Sequence, residues 1–486
     1  MIKNKFLNRK DIFNALFLGL IHLIMAIFYV FVAGISIVVD PTRNLWDWFW
    51  QSIPVELLQK DFLRSIWYLH AQPPFYNFLI GLFVKLFFPY HLQTLHLFNI
   101  TLGSLLSGMS YAIIVQIISN RSITLLLSFI ITINPSLFLY EAYMLYSLFC
   151  AFLIVLSIFF LSWYYKDRSS WLLYGFIVSM TILVMTRSLY YILLLCVVLV
   201  FVFMISNLAK RKHNLIISIL ITLIAFGWCA RNYTLYGFFG TSSWYGMGLW
   251  NIAAHRYTLD ELQVLEKTGI LDPVVVETRV FSMPSTYYVY NFNKKSSIEV
   301  LSRDNLNNIN IPDISKVYAR NSLRLILHQP SRYLQSIYES YLMFCKPSSR
   351  FKHLPLNAAK IEPHESFYAD ILQGRNLMSQ GTSDYGSFLF FLLPTSLLTY
   401  LFTAFFKIKQ HKSLILFIQE DMIMFWCFII ITYVVFVSCT VEFGEQDRFK
   451  FNIEQLLWFF IPIVLFRGIY WPIMFLRRKL NFTSHS

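Results

Sequence analysis

Long runs of apolar residues, separated by short polar or charged breaks, make up most of this chain. An α-helix needs about 20 mostly apolar residues to cross the hydrocarbon core of a bilayer, and about eleven stretches approach that length. They are residues 12–39, 75–88, 95–118, 123–140, 143–163, 171–185, 189–205, 215–228, 385–406, 422–441 and 456–473. The pattern predicts an all-α polytopic membrane protein.

Composition supports this prediction and excludes other classes. With 57% hydrophobic and 14% charged residues, the chain has too little polar surface to cover a water-soluble core. The formal charge of +14 does not indicate nucleic-acid binding, because the basic residues cluster at the ends of apolar stretches. The six cysteines have no metal-binding spacing and lie mostly in apolar runs, so they indicate neither zinc nor a disulfide framework. Residues 12–39 are too long for a signal-peptide core and are expected to remain as an anchor.

The basic clusters predict which loops face the cytoplasm. Residues 3–10, 210–212, 407–412 and 477–479 are rich in Lys and Arg, which places both termini inside. Three regions follow. They are an N-terminal transmembrane module, residues 1–229, which includes an external loop at 40–73; an external segment, residues 230–384; and C-terminal transmembrane helices, residues 385–486.

Counting the crossings from both ends gives a conflict. Three full crossings between residues 77 and 141 would place Asp40 and Glu141 on opposite faces, so one apolar stretch must cross only in part. Residues 123–140 are interrupted at Asn134-Pro135, whereas residues 75–88 are short and contain Lys85. Either stretch fits a partial or re-entrant helix, and the sequence does not choose between them.

The two external regions have different patterns. The first loop mixes Trp46, Trp48, Trp50 and Trp67 with charged residues, which is typical of the membrane interface. In the larger segment, residues 317–344 carry apolar residues at helical spacing, interrupted at Pro330. We expect helices lying on the membrane there.

Carboxylates at the external side are candidates for catalysis. Asp40 follows the first span, a position suited to a general base at the edge of low dielectric. The alternative is a helix terminus that simply reaches water, and Asp47 and Asp61 compete in the same loop. Glu141 is a second carboxylate in apolar surroundings, where an ionisable group is costly and therefore suggests function.

Polar and basic residues next to apolar stretches are candidates for substrate binding. His70 and Gln72 precede Pro73-Pro74, which fix the start of the next helix. Arg187 is an isolated cation between two apolar runs, and a short external turn is the alternative interpretation. Arg231 is followed by a glycine-rich region whose backbone is able to approach a phosphate or a sugar closely. It also contains or borders Asn232, Trp250 and Asn251.

Arg448 lies in a charged cluster just after residues 422–441. Because a guanidinium can bind phosphate oxygens in pairs, this arginine is a candidate for holding a lipid phosphate. The cluster also contains Glu442, Glu445, Asp447 and Lys450.

In this order the motifs resemble the GT-C superfamily of polytopic glycosyltransferases, especially bacterial relatives of protein O-mannosyltransferases and lipid A aminoarabinose transferases. The resemblance extends from about residue 12 to 466. It is carried by Asp40, His70-Ala-Gln-Pro-Pro-Phe-Tyr76, Asn134-Pro with Glu141, Met185-Thr-Arg187, Trp228-Cys-Ala-Arg-Asn-Tyr233, Gly248-Leu-Trp-Asn251, His328-Gln-Pro330 and Asp447-Arg-Phe449.

The resemblance implies a GT-C-like helix bundle and an enzyme that transfers a sugar from a polyprenyl-phosphate donor to an acceptor lipid, glycan or protein at the external face, with inversion. Asp40 would be the base, and Glu141 would orient the acceptor or help to hold a divalent cation. Arg187, Arg231 and Arg448 would bind the donor phosphate, and His70, Gln72, Asn232, Trp250 and Asn251 the substrate. The expected location is a bacterial inner membrane.

Two departures from the family pattern concern the metal. Pro41 stands where an acidic neighbour of Asp40 is usual, and the histidine is at position 70 instead of directly before the prolines. A requirement for Mg, Mn or Zn therefore stays open.

Other function classes remain open. The alternative from another class is a polytopic transporter or a flippase for lipid-linked glycans, since scattered polar groups in a membrane also describe a substrate path. A polymerase or ligase of surface polysaccharide would use a lipid-diphosphate donor. Convergence of Asp40, Glu141, Arg231 and Arg448 at one face would favour the enzyme.

Overall fold

A computed structural model describes residues 8–38, 51–375 and 387–483, the stretch 470–483 only as helical backbone. Within these ranges the chain is helical and contains no β-strand. The α-helices are α1 (Arg9–Phe31), α2 (Val55–Lys60), α3 (Phe62–Trp67), α4 (Pro74–Phe87), α5 (His91–Ile117), α6 (Arg121–Thr132), α7 (Pro135–Glu141), α8 (Ser147–Asp167), α9 (Ser170–Val184), α10 (Leu193–Ile205), α11 (Arg211–Tyr236), α12 (Tyr245–Ala253), α13 (Leu259–Lys267), α14 (Pro273–Glu277), α15 (Glu299–Ser302), α16 (Ile311–His328), α17 (Pro330–Phe344), α18 (Pro355–Lys360), α19 (Glu362–Phe367), α20 (Leu389–His411), α21 (Leu414–Glu420), α22 (Met422–Val441), α23 (Gln446–Phe451) and α24 (Glu454–Thr483).

The predicted apolar stretches all contain helices, but they differ in length. Among the described residues, six helices are long and apolar enough to cross a membrane: α1, α5, α8, α20, α22 and the helix Leu208–Tyr236 that includes α11. Three shorter apolar helices are α4, α9 and α10. The structure thus supports a polytopic membrane protein, while the count of about eleven crossings remains a prediction.

The interruption predicted at Asn134-Pro135 is present. Helices α6 and α7 are bent by 41° at this point and could together form a seventh span. The Asn134 side chain accepts a hydrogen bond from the Ser136 N–H at 2.9 Å, and Pro135 occupies the first turn of α7. Helix α4 would be about 21 Å long, shorter than a hydrocarbon core of about 30 Å. Both candidates for the incomplete crossing therefore stand.

The bundle has a buried centre and an apolar rim. Helix α1 packs against α5, α5 against α8, and α8 against α9 and α22. In the apolar 18-residue stretch of α8, 72% of the residues are buried inside the protein, whereas in that of α1 only 17% are buried. The outward side chains of α1, such as Phe13, Leu16 and Phe31, are apolar and exposed. Such a surface fits contact with lipid.

The segment of residues 230–384, for which the sequence predicts an external position, has a second hydrophobic core built around Trp244, Trp250, Tyr287 and Tyr318. Helices α16 and α17 form where helical spacing predicted them and are separated at Pro330. Helix α16 packs against α12, whereas α17 packs against α22 and α23 at the end of the bundle. Their placement on a membrane surface remains a prediction.

Close packing of α12 on α16 depends on a glycine. A Cβ added at Gly246 would lie 1.9 Å from the Ser315 carbonyl oxygen and 2.7 Å from the Ala319 nitrogen. We expect Gly246→Ala to destabilise the external segment by about 1–3 kcal/mol, because the backbone of α16 must shift. Limited proteolysis at increasing temperature measures this effect. Gly227→Ala, at a position where a Cβ meets nothing within 4 Å, should show no such loss. Equal protease resistance of the two variants would contradict the packing argument.

Candidate functional site

A cavity of about 850 Å³ lies where one end of the bundle meets the external segment. Its wall includes the residue before α8, the α9–α10 loop, the turn between α11 and α12, parts of α12 and α16, and the end of α22 with the turn into α23. Residues 279–283 and single positions elsewhere in the chain also line it. Among its side chains are Gln72, Tyr146, Arg187, Tyr191, Asn251, Lys352, Glu442, Glu445, Arg448 and Phe449. These helix ends are the ones for which the sequence predicts an external position.

Four of the predicted site residues line the cavity: Gln72, Arg187, Asn251 and Arg448. The cavity wall does not include the other predicted site residues within the described ranges, which are His70, Glu141, Arg231, Asn232 and Trp250. Asp40 lies outside the described residues.

Arg187 is a buried cation at the bottom of this wall. Its side chain is 1% exposed and its guanidinium carbon lies 4.4 Å from the centre of the Phe449 ring. With the Asn452 amide oriented so that its oxygen accepts, one Nη donates to that oxygen at 2.8 Å. The other Nη has no partner among the described groups. A buried guanidinium donor without a partner is costly, and an anion in the cavity would satisfy it.

Arg448 brings a second cation to the same cavity. Its side chain is 4% exposed and forms an ion pair with Glu445, which also pairs with Lys352 at 3.3 Å. Although burial opposes its ionisation, Arg448 and Lys352 hold the pKa of Glu445 below its usual value. The Arg448 Nε has no hydrogen-bond partner in the described structure. Arg448 therefore keeps donor capacity for a ligand.

Several predicted binding residues hold the loops that border the cavity. His70 Nδ1 lies 2.9 Å from Ser243 Oγ, and the Ser243 N–H donates to the His70 carbonyl at 2.9 Å. Burial lowers the pKa of His70 to about 3, so the ring is neutral. Asn232 donates to the Gly240 carbonyl at 2.7 Å, and Trp250 packs on Tyr318 in the second core. The His70 contacts join the first loop to the external segment, and the Asn232 and Trp250 contacts stabilise that segment internally.

Arg231 is enclosed by aromatic rings. Its guanidinium carbon lies 4.6 Å from the Trp228 ring centre, 5.2 Å from that of Tyr236 and 5.5 Å from that of Trp67. One Nη donates to the Leu69 carbonyl at 3.1 Å. Cation–π contacts and this hydrogen bond fix the loop after α3 on the end of α11.

Glu141 forms a buried pair deep in the bundle. Its Oε1 lies 2.5 Å from His22 Nε2, and His22 Nδ1 lies 3.0 Å from the Thr132 carbonyl oxygen. Both side chains are almost fully buried, at 2% and 0% exposure. The pair links α1 to the end of α7, which follows the bend at Asn134-Pro135. The sequence did not single out His22, whose partner is 119 residues away.

The Glu141 pair leads to a stability prediction. We expect Glu141→Leu to lower stability by about 3 kcal/mol, because it leaves a buried imidazole nitrogen without its partner. Glu141→Gln keeps a hydrogen-bonding group and should cost less. Thermal unfolding of both variants in detergent measures the difference. If Glu141 acted directly in the chemistry, Glu141→Gln would instead abolish activity at unchanged stability.

Glu442, Lys352 and Tyr191 belong to the cavity but were not predicted as site residues. The sequence signal for Glu442 was its place in the charged cluster directly after residues 422–441, a cluster from which only Arg448 was selected as a site residue. In the described part of the chain, no group of three or more His, Cys, Asp or Glu side chains is arranged to hold a metal ion.

Similarity to known proteins is found at the level of structure. No protein-family model and no curated protein matches the sequence. Among solved structures, the archaeal oligosaccharyltransferase AglB from Archaeoglobus fulgidus, in complex with an inhibitory peptide and a dolichol-phosphate, is similar with a TM-score of 0.39 and 12% identity. The match covers 96% of this chain and 52% of AglB, so the chain spans about half the length of that enzyme.

Proposed function

We propose that the protein is a membrane glycosyltransferase that moves a sugar from a polyprenyl-phosphate donor to an acceptor at the external face of the membrane. One observation carries the proposal. Arg187 and Arg448, two almost fully buried guanidinium groups with unpartnered donors, line the same cavity. Guanidinium groups match phosphate oxygens in charge and geometry.

The surroundings of the cavity suit a lipid-linked donor. Val437 and Val441 of the spanning helix α22 line it, together with Phe239 and Tyr245. The two aromatic side chains are 55% and 48% exposed. A phosphate held at the arginines would therefore have apolar surface beside it for the first isoprene units.

In the proposed reaction, Asp40 removes the proton of the acceptor hydroxyl. The new bond forms from the acceptor oxygen to the anomeric carbon as the bond from that carbon to the phosphate oxygen breaks, with inversion. The electron pair leaves with the phosphate, whose charge Arg187 and Arg448 stabilise. Val38, the last described residue before Asp40 and two positions from it, donates its N–H to the Ala142 carbonyl at 2.9 Å.

The remaining candidate residues take narrower roles. Gln72 and Asn251 line the cavity and are proposed to bind the sugar. We propose that His70, Arg231, Asn232 and Trp250 act on the substrate indirectly, by holding the loops around it. The proposed acceptor is a lipid, a glycan or a protein. A bacterial inner membrane is the proposed location.

The position of the charged groups favours an enzyme over a transporter or flippase. Of the four residues whose convergence would favour an enzyme, Arg448 lines the cavity, Glu141 and Arg231 do not, and Asp40 lies outside the described residues. Arg187, Glu442 and Glu445 nevertheless gather with Arg448 at one end of the bundle, around one cavity. A transport path needs polar groups near the middle of the membrane. The concentration of cavity charges at the helix ends predicted to be external fits transfer at a surface.

The donor class can be tested with purified protein in detergent. Three donors are compared, in which the labelled sugar is carried by a polyprenyl phosphate, a polyprenyl diphosphate or a nucleotide. A mixture of membrane lipids and glycans serves as the acceptor. The proposal expects transfer from the monophosphate-linked sugar. Transfer from the diphosphate alone would assign the protein to the polymerase or ligase class, and transfer from the nucleotide alone would contradict a lipid-linked donor.

A further inference from the structure

Glu442 is a carboxylate of the cavity that the proposed phosphate site leaves without a role. Helix α22 ends at Val441, and Glu442 has an extended backbone with φ −141° and ψ 159°. The Gln446 side chain fixes the turn, because it donates to the Glu442 carbonyl at 2.7 Å and accepts from the Gly444 N–H at 2.8 Å. Gln446 is fully buried, so the turn holds Glu442 at the cavity wall.

The turn itself depends on Gly444. Its φ of +106° lies in the left-handed half of backbone space, which side chains disfavour. The chain can therefore reverse between α22 and α23 within a few residues. This reversal places Glu442 and Arg448 on the wall of one cavity.

The two carboxylates of this turn differ in their partners. Glu445 is paired with Arg448 and with Lys352, whereas the Glu442 carboxylate forms no hydrogen bond or ion pair with any described group. The groups that act electrostatically on Glu442 are Glu445, Arg448, Arg187 and Lys352, and it acts in turn on Tyr191. Burial and the negative charge of Glu445 raise the pKa of Glu442 to about 7.

A phosphate at Arg187 and Arg448 would add negative charge beside Glu442. A like charge disfavours the ionised carboxylate, and the neutral carboxyl group is a hydrogen-bond donor that suits a phosphate oxygen. We infer that Glu442 takes up a proton from solvent when an anionic phosphate binds in this cavity and donates that proton in a hydrogen bond to it. The inference rests on the proposed phosphate site and adds its coupling to pH.

The direction of the pH effect follows from linkage. Below about pH 7 the free protein already holds the proton on Glu442, so binding needs no uptake. Above that pH the free carboxylate is ionised, and binding must take a proton from increasingly dilute solution. The affinity for a phosphate ligand should then fall by up to about tenfold per pH unit. A ligand that carried no charge would not show this dependence.

Calorimetry with a short-chain polyprenyl monophosphate as the probe tests the coupling on the full chain in detergent. Titrations at about pH 8 in buffers of different ionisation enthalpy give the number of protons taken up on binding. The wild type should take up more protons than Glu442→Gln, by a difference approaching one. The amide of this variant imitates the neutral carboxyl, so its affinity should match that of the wild type at low pH and should not fall at high pH.

Controls separate the outcomes. Asp260→Asn removes an exposed carboxylate of α13 and should behave as the wild type. The ionisation of the probe itself is common to all variants and cancels in the comparison. Inorganic phosphate as a second probe shows whether the headgroup alone suffices. If Glu442→Gln does not fold, Glu442→Ala replaces it and should also lose the extra proton uptake.

Two failures have different meanings. If the wild type binds the polyprenyl phosphate with the same proton uptake as the Glu442 variants, the inference is overturned and the proposed function stands. Wild type that binds neither probe at any pH removes the phosphate site itself, and with it the proposed function.

Discussion

Replacing Arg187 by Met is expected to lower kcat/KM for the polyprenyl-phosphate sugar by about 100-fold or more, since the loss of one charge-stabilising donor costs about 10²–10³ in rate. The guanidinium has an unpartnered Nη in the described structure and lies at the cavity, so its removal takes away a direct phosphate ligand. Steady-state kinetics with a labelled donor give the effect.

The fold should survive this substitution. Met has a flexible apolar side chain that can occupy the space between the Phe449 and Tyr146 rings now taken by Arg187. The hydrogen-bond partner of the Arg187 guanidinium is the neutral Asn452 amide, so the substitution breaks no ion pair between described side chains. Arg187→Lys keeps the charge without the planar fork and should fall between wild type and Arg187→Met.

A matched control for Arg187 is Arg303→Gln. Arg303 is partly exposed and pairs with Glu299 at 2.8 Å on the surface of the external segment. This variant should retain wild-type kinetics. Folded Arg187→Met with the same kcat/KM as Arg303→Gln would remove Arg187 from the proposed phosphate site.

Asp40→Asn is expected to lower kcat by about 10²–10⁴-fold, the usual contribution of a general base. The amide keeps the size of the side chain but cannot take up the proton that the acceptor hydroxyl loses. KM for the donor should change little, because the donor phosphate is held at the other proposed residues. Single-turnover transfer under saturating donor measures the chemical step separately from binding.

Asp61→Asn is the matched control for Asp40, since Asp61 lies between α2 and α3 in the same external loop. It should retain activity. Transfer that persists in Asp40→Asn and is lost in Asp61→Asn would move the base to Asp61.

Local features of the fold followed from the sequence because their causes are local. The bend at Asn134-Pro135 and the separation of α16 from α17 at Pro330 arise where proline cannot continue a preceding helix. The apolar stretches also became helices, since every backbone polar group in a bilayer must find its partner within the segment.

Contacts between distant residues could not be predicted in the same way. The pairing of His22 with Glu141 depends on how α1, α5 and α7 pack, which residue spacing does not encode. Gly246 belongs to the glycine-rich region after Arg231, for which the sequence predicts close approach to a phosphate or sugar, yet its backbone packs against α16. The glycine-rich signal was therefore partly one of helix packing.

Four residues named from the sequence line the cavity, namely the arginines Arg187 and Arg448 and the amides Gln72 and Asn251. Arg187 and Arg448 were recognisable as cations that interrupt apolar sequence, and the structure places them at one cavity. Glu442 was not distinguishable from its acidic neighbours, because the difference is that Glu445 is neutralised by Lys352 from a distant part of the chain. The position of the proposed base, Asp40, lies outside the described residues.

The most direct test of the central claim uses sealed proteoliposomes that contain labelled polyprenyl-phosphate sugar and present the acceptor on one side only. Sugar transfer and movement of the donor lipid across the bilayer are measured together, for wild type and Arg187→Met. The account predicts transfer to acceptor only at the face that bears the cavity, with strong loss in the variant. Movement of the lipid by the wild type without any transfer to acceptor would contradict it and establish a flippase.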